Sequence, residues 1–258
     1  MKKTIILTIA ILSLWACGPN QESQLEEIRT FEKSDKIGTD EGLKELAKMH
    51  KTYGMKYNDA EANNYLYAAA QYYFYEQNME EAKELLNAYI SRDDTSDRFQ
   101  NAALNLAILY SKEKNYGAAD DLVSEVLDQH LPTAAQWQEV ITIYQNKIAT
   151  GTNITPQNYE KLAMAYTAVG RFEEATQSLD SAITRFMDYP ERANLIYRAG
   201  FIGWEYLKDI DVAKRYYNQF LEEYPNDEKA SEVKQILTSG MLEMSDEDIL
   251  NMLKGKAQ

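Results

Sequence analysis

Tyr159-Glu160-Lys161-Leu162-Ala163-Met164-Ala165-Tyr166, followed by Arg171-Phe172-Glu173-Glu174-Ala175, Leu179 and Ala182, is the stretch on which the reading of the fold turns. Apolar residues at 159, 162, 163 and 166 recur three and four apart, the spacing of one helical face, and 172, 175, 179 and 182 repeat it. Val169-Gly170-Arg171 interrupts the run. The stretch therefore reads as two short helices joined by a tight turn, with alanines where the helices approach and tyrosines where space is filled.

The turn recurs. Asn78-Met79-Glu80-Glu81-Ala82, Asn115-Tyr116-Gly117-Ala118-Ala119 and Asp209-Ile210-Asp211-Val212-Ala213 each carry a polar residue, a large or branched apolar one, and an alanine three later. Pro132, Pro156, Pro190 and Pro225 punctuate the chain at intervals of 24, 34 and 35 residues, and none falls inside a predicted helix. A period in that range marks a repeat architecture. On these residues the chain resembles the tetratricopeptide repeat family, whose unit is two antiparallel helices with the pattern W-x2-L-G-x2-Y, then A-x3-F, then P. Tyr159-x2-Leu162-Ala163-x2-Tyr166 with Ala175-x3-Leu179 fits it, as do Leu106-Ala107-x2-Tyr110 with Ala119-x3-Val123, and Leu66-x2-Ala69-Ala70-x2-Tyr73 with Ala82-x3-Leu86. A last unit has Tyr197, Trp204, Ala213-x3-Tyr217 and Phe220, with Gly200-Phe201 inverting the usual large-then-small order.

The expected fold is thus all-α, a solenoid of helical hairpins over residues 37–258, with units at about 63–96, 100–133, 156–189 and 194–227. Residues 134–149 read as a half-unit, a first helix around Trp137, Val140 and Tyr144 without a second. Thr155 and Pro156 then open the next unit as cap and first helical residue. A leading helix with Leu43, Leu46, Ala47, His50 and Tyr53 precedes the units, and capping helices are expected over 228–254, the last opening at Ser245 and Asp248.

The 258 residues contain 41 acidic against 27 basic side chains, a formal charge of −14 that disfavours nucleic acid and anionic lipid as partners. Eleven glycines and five prolines are too few for a turn-rich β fold. One cysteine excludes both an internal disulfide framework and a multi-thiolate metal site.

That cysteine ends a leader. Met1-Lys2-Lys3 precedes twelve mostly apolar residues, Thr4 to Trp15, which as a helix rise only about 18 Å, short of a hydrocarbon core of roughly 30 Å. Leu14-Trp15-Ala16-Cys17 resembles the lipobox of bacterial lipoproteins, which implies removal of residues 1–16 and acylation of Cys17 with palmitate-class chains. The alternative is an ordinary secretory signal with an incidental cysteine. Residues 17–36 read as a flexible tether, with Leu25, Ile28 and Phe31 allowing a helical turn or two. Gly18 after the cysteine, in place of an aspartate, implies the outer membrane by resemblance, and the single acid in Gly18-Pro19-Asn20-Gln21-Glu22 favours a periplasm-facing domain.

Catalytic patterns are missing. The two histidines, His50 and His130, stand far apart and form no zinc motif, no glycine cluster precedes a lysine to cradle phosphate, and no serine occupies a G-x-S-x-G elbow. The acidic pairs Glu80-Glu81, Glu173-Glu174 and Glu222-Glu223 read as solvated faces. No cofactor and no metal are expected, and the chain reads as a non-enzyme.

The family resemblance implies a groove lined by first helices. It falls at Asn64, Tyr67, Gln71, Phe74 and Tyr75 and continues through Leu104, Ile108, Met164, Arg198 and Ile202. Chaperone-binding members use lysine and asparagine where this chain has Tyr67 and Gln71, so that role is disfavoured. Tyr65 to Tyr75 holds six aromatics in eleven residues, apolar around more of the helix than one buried face requires. Either a partner covers the second face or the leading helix packs there. The resulting expectation is a non-catalytic scaffold in the bacterial envelope, supporting outer-membrane or cell-wall assembly through an envelope protein or peptide segment. The rivals are a self-associating structural lipoprotein and, more weakly, a small-ligand binder or enzyme.

Overall fold

The computed structural model describes residues 20–92, 97–129 and 131–245, together with 247, 248 and 251. The lipobox with Cys17, His130 and the apolar residues of the final helix lie outside the described residues. Among those described the chain is all-α: twelve α-helices, short 3-10 turns, one π-helical turn and no strand. None of these helices is long and apolar enough to cross a membrane. The chain divides into two compact units at Asp93 and Asp94.

The N-terminal unit contains α1 (Gln21–Glu32), α2 (Asp40–Lys56), α3 (Ala60–Tyr75) and α4 (Met79–Ile90). Helix α2 packs along α3, and α3 pairs with α4. Each start has a side-chain cap or a turn that explains it. Asn20 accepts from the Ser23 N–H, Thr39 from Gly42, and Asp59 from Ala62 at 2.8 Å. The turn into α4 places Gln77 in the left-handed region at φ 57°.

Helix α1 corrects the expected tether, since residues 21–32 are folded. Ile28 is 2% exposed and sits in a cluster with Tyr53, Ala62 and Tyr65, with Leu25 packed at its edge. Along its length α1 is fastened by polar pairs to residues far away in sequence. The Gln21 amide donates to the Tyr53 hydroxyl (3.0 Å), Tyr57 donates to Gln24 (2.9 Å), and Arg29 pairs with Glu61 (2.9 Å). Three apolar residues alone are a weak helical signal; the partners that fix this helix lie some thirty residues on.

His50 belongs to the same contact. It is 8% exposed, stacked on Tyr65 with ring centroids 4.5 Å apart, and lies 3.1 Å from a Glu32 carboxylate oxygen. Burial lowers its pKa below the usual histidine value, against the opposing pull of Glu32. Since the unfolded chain then holds the proton more tightly, stability is complete above the unfolded value near 6.5 and declines as pH falls through it. Urea unfolding at pH 7.5 and 5.5 is expected to show a larger acid-induced loss for the wild type than for His50→Gln. Equal losses would remove His50 from the account.

The C-terminal unit contains α5 (Asp97–Lys112), α6 (Tyr116–Gln129), α7 (Ala134–Ala149), α8 (Pro156–Ala168), α9 (Phe172–Arg185), α10 (Arg192–Phe201), α11 (Ile210–Glu223) and α12 (Ala230–Thr238). Helices α5 and α6, α8 and α9, and α10 and α11 pair as antiparallel neighbours, while α7 packs on α5 and α8 and has no second helix of its own. Thr133 and Gln136 close a capping box at α7, and Pro156 occupies the first residue of α8, with the Asn158 side chain accepting from the Thr155 N–H at 3.0 Å.

Helix α10 runs into a π-helical turn at Ile202–Tyr206. A side chain at Gly200 would meet the Tyr217 ring at 2.7 Å, and one at Gly203 would meet Val212 at 2.7 Å. The inverted Gly200-Phe201 order thus still places a small residue against α11, and the wider turn rotates the residues after it.

Candidate partner-binding surface

Helix α3 is built from one long run without glycine or proline, and its two faces differ. Ala62, Tyr65, Leu66, Ala69, Ala70 and Tyr73 are buried. Helix α2 covers this side through His50 and Tyr53 against Tyr65, and through Gly54 against Leu66. From α4 come the buried Leu85, Leu86 and Tyr89, with Tyr89 tilted against Tyr67 at 5.2 Å. Asn64, Ala68, Gln71 and Tyr75 follow one another at i, i+4, i+7 and i+11 on the opposite side. Asn64 and Ala68 are exposed, Tyr67, Gln71 and Phe74 half-buried, and Tyr75 is 74% exposed with its ring edge-on to Phe74 at 5.7 Å. The leading helix therefore takes the Tyr65 side of α3 and leaves Tyr75 in solvent.

In the C-terminal unit the predicted groove residues part company. Ile108 and Met164 are half-buried, and Met164 lines a 420 Å³ recess with Leu127, Leu131, Pro132 and Trp137. Arg198 is held by Glu160 at 2.6 Å. Leu104 and Ile202 are corrected to core positions, 0% and 4% exposed. Leu104 is in a helix buried at Phe99, Ala102, Ala103, Leu106, Ala107 and Leu109, which leaves little outward stripe, and Ile202 extends the buried face of α10, seven residues after Leu195 and three after Ala199.

A polar knot missed by the sequence reading joins α6, α7 and α8. The fully buried Tyr144 donates to Asp120, and Lys161 reaches both Asp120 (3.0 Å) and Ser124 (2.7 Å). These bonds from Tyr144 and Lys161 hold the Asp120 carboxyl below its usual range despite burial. Burial pushes the Tyr197 hydroxyl up to about 12, beside a Glu232 carboxylate at 2.8 Å, and raises Glu139 on α7 to about 7. Among the described residues no three His, Cys, Asp or Glu side chains converge as metal ligands.

Residues 195–227 match the family model described as tetratricopeptide repeat. No curated protein matches the chain. Among solved structures it is similar to PilW, described as a widely conserved type IV pilus biogenesis factor, at 16% identity with 83% of each chain covered and a TM-score of 0.32. It is similar to MamA protein at 20% identity, covering 80% of this chain and 95% of that one, with a TM-score of 0.31. A tetratricopeptide repeat protein from Parabacteroides merdae ATCC 43184 follows at 17% identity, 83% and 89% coverage, and a TM-score of 0.33. At these scores no residue is matched to a residue. The match at 195–227 covers the hairpin of α10 and α11, one of a run of antiparallel helical hairpins in the C-terminal unit.

Proposed function

We propose that the chain is a non-catalytic scaffold, lipid-anchored through Cys17 in the outer membrane of a bacterial envelope and facing the periplasm, which takes a segment of an envelope protein along the Asn64 to Tyr75 face of α3. The repeat fold suggests protein–protein interaction in general. The narrower reading is supported by one observation above all: α2 covers the Tyr65 side of α3 and α4 packs Tyr89 against Tyr67, while Tyr75 remains 74% exposed on a stripe with Asn64, Ala68 and Gln71. Tyrosine suits such a contact because the ring is apolar and the hydroxyl can still bond. The leader and lipobox at residues 1–17 supply the anchor and the compartment in this proposal. Support for outer-membrane or cell-wall assembly would be the work of the captured partner.

A photo-crosslinking residue at Tyr75 in living cells, with a control at exposed Glu173 on α9, tests the surface. Adducts to one foreign envelope protein from position 75 alone are expected, lost when Tyr67→Ala is added. Adducts of the chain only to itself would replace the scaffold by a self-associating lipoprotein. Separately, incorporation of a palmitate analogue is expected in the wild type and absent from Cys17→Ser; labelling of neither would remove the anchor.

A further inference from the structure

The turn from α5 into α6 and the end of α7 enclose a pocket of about 630 Å³ within the C-terminal unit. Lys114, Asn115, Tyr116 and Gly117 form one wall. Lys147 and Thr150 at the end of α7, with Thr152 and Asn153 after it, form the other. The Tyr116 hydroxyl donates to the Asn146 carbonyl at 3.4 Å and so ties the two walls together. Three residues in the left-handed region, Lys114 at φ 61°, Gly151 at 70° and Asn153 at 51°, turn the chain around the rim. In a chain of formal charge −14, no residue lining this pocket is acidic and two are lysines.

Lys147 lacks the partner that its burial calls for. It is 9% exposed and its side chain lines the pocket, yet among the described residues its ammonium makes no hydrogen bond or ion pair. Its charge is felt at Asp120, but that carboxylate is already bonded by Tyr144 and Lys161. A lysine in the last turn of α7 also offsets the helix dipole. An exposed lysine would do so without giving up its water, whereas a buried ammonium with nothing to bond is costly until an anion meets it.

We propose that this pocket binds the phosphate monoester of a small polyol. Such a group carries a charge of about −1.5 to −2 at neutral pH and three strong acceptor oxygens. Lys114 and Lys147 answer the charge, and the N–H groups of Tyr116 and Gly117, which open α6 and have no partner within it, answer the oxygens. A single carboxylate would leave one lysine unanswered. Gly117 keeps its wall open, since an added methyl there would meet nothing within 4 Å. The volume falls in the range of roughly 300–1,000 Å³ that holds small organic ligands, so a bare phosphate would not fill it. At the rim the exposed Thr152 hydroxyl, held only by a 3.3 Å bond to Thr150, and the Asn153 amide suit the hydroxyls of a polyol. The site is independent of the lipid anchor and of the α3 face.

Calorimetric titration of the full-length protein in detergent tests the pocket, with glycerol phosphate, inorganic phosphate and succinate as probes. Glycerol phosphate is expected to bind, inorganic phosphate to bind severalfold more weakly, and succinate to give no heat. Lys147→Gln is expected to weaken glycerol phosphate by about tenfold or more. Lys114→Asn, a change that the left-handed backbone of an exposed turn accepts, is expected to weaken it severalfold without altering the melting temperature. In protein carrying isotope-labelled glycine, the Gly117 amide resonance, assigned by its loss in Gly117→Ala, is expected to move on titration while that of the buried Gly200 stays. No binding of glycerol phosphate, equal binding of succinate or of inorganic phosphate, or binding untouched by both lysine variants would overturn the assignment.

Discussion

Gly54→Ala is expected to lower the melting temperature of the N-terminal unit by on the order of 10 °C. Gly54 stands in the last turns of α2, buried, one turn after His50. A methyl there would lie 2.8 Å from both the Cα and the N of Leu66 and 2.9 Å from its Cβ. Two of those three atoms are backbone in the middle of α3, so no rotamer change relieves the contact. The helices must separate, which breaks the stacking of His50 on Tyr65 and the edge-on contact of Tyr53 with it. Overpacking of this kind costs about 1–3 kcal/mol or more, while replacing a helical glycine by alanine returns roughly 0.5–1 kcal/mol. The clash wins, by about 2 kcal/mol, and Gly54→Val is expected to leave the unit unfolded. Gly117, where an added methyl meets nothing within 4 Å, is the control: Gly117→Ala is expected to be neutral or slightly stabilising. Thermal unfolding of the three variants decides the point. A Gly54→Ala protein as stable as Gly117→Ala would mean that α2 does not rest on α3 at this place.

The contrast between those two glycines shows what was legible in the sequence. The repeat is local: an alanine three after a large or branched residue, a tyrosine near the end of a first helix and a proline between units are short-range patterns, and they suffice for an all-α hairpin fold. Gly54 carried no such signal, because its reason is Leu66, on another helix. The same holds for α1, whose fastening runs from Gln21, Gln24 and Arg29 to Tyr53, Tyr57 and Glu61. It holds again for the Asp120, Tyr144 and Lys161 knot, drawn from three helices. Of the candidate surface, the α3 stripe could be placed by counting along one uninterrupted helix. Leu104 and Ile202 could not, since the first depends on how many neighbours press on α5 and the second on which helices close over the Leu195 and Ala199 face of α10 that it extends.

Arg192 is the second position where a large effect is expected, and its sequence context gave no hint of it. Only 6% of its side chain is exposed. Its Nε donates to the Ile183 carbonyl at 2.9 Å, one of the last carbonyls of α9, which no residue of that helix can satisfy. Its guanidinium grips the Glu223 carboxylate at the end of α11 with both terminal nitrogens and reaches the Tyr224 hydroxyl at 3.2 Å. One side chain on α10 thus closes the ends of the helices on either side. The bond to Glu223 raises the Arg192 pKa, and the bond to Arg192 lowers that of Glu223, each against the cost of burial.

Arg192→Met keeps the length and leaves the carbonyl, the carboxylate and the hydroxyl without their partner. Stranding one half of a buried pair costs about 3–5 kcal/mol, and Glu223 retains access to water over 32% of its side chain, so about 2–3 kcal/mol is expected. Adding Glu223→Gln removes the stranded charge, and the double variant is expected to be more stable than the sum of the single losses predicts. The pH dependence has a fixed sign. A carboxylate held below its ordinary value of 4.5 contributes stability above that value and loses it as pH falls through the folded one. The gap between wild type and Arg192→Met is therefore expected to be full at pH 7 and to narrow below about 4. Urea unfolding of the four proteins at pH 7 and pH 3.5 measures both effects. Additive losses with a pH-independent gap would reduce Arg192 to a spacer between helices.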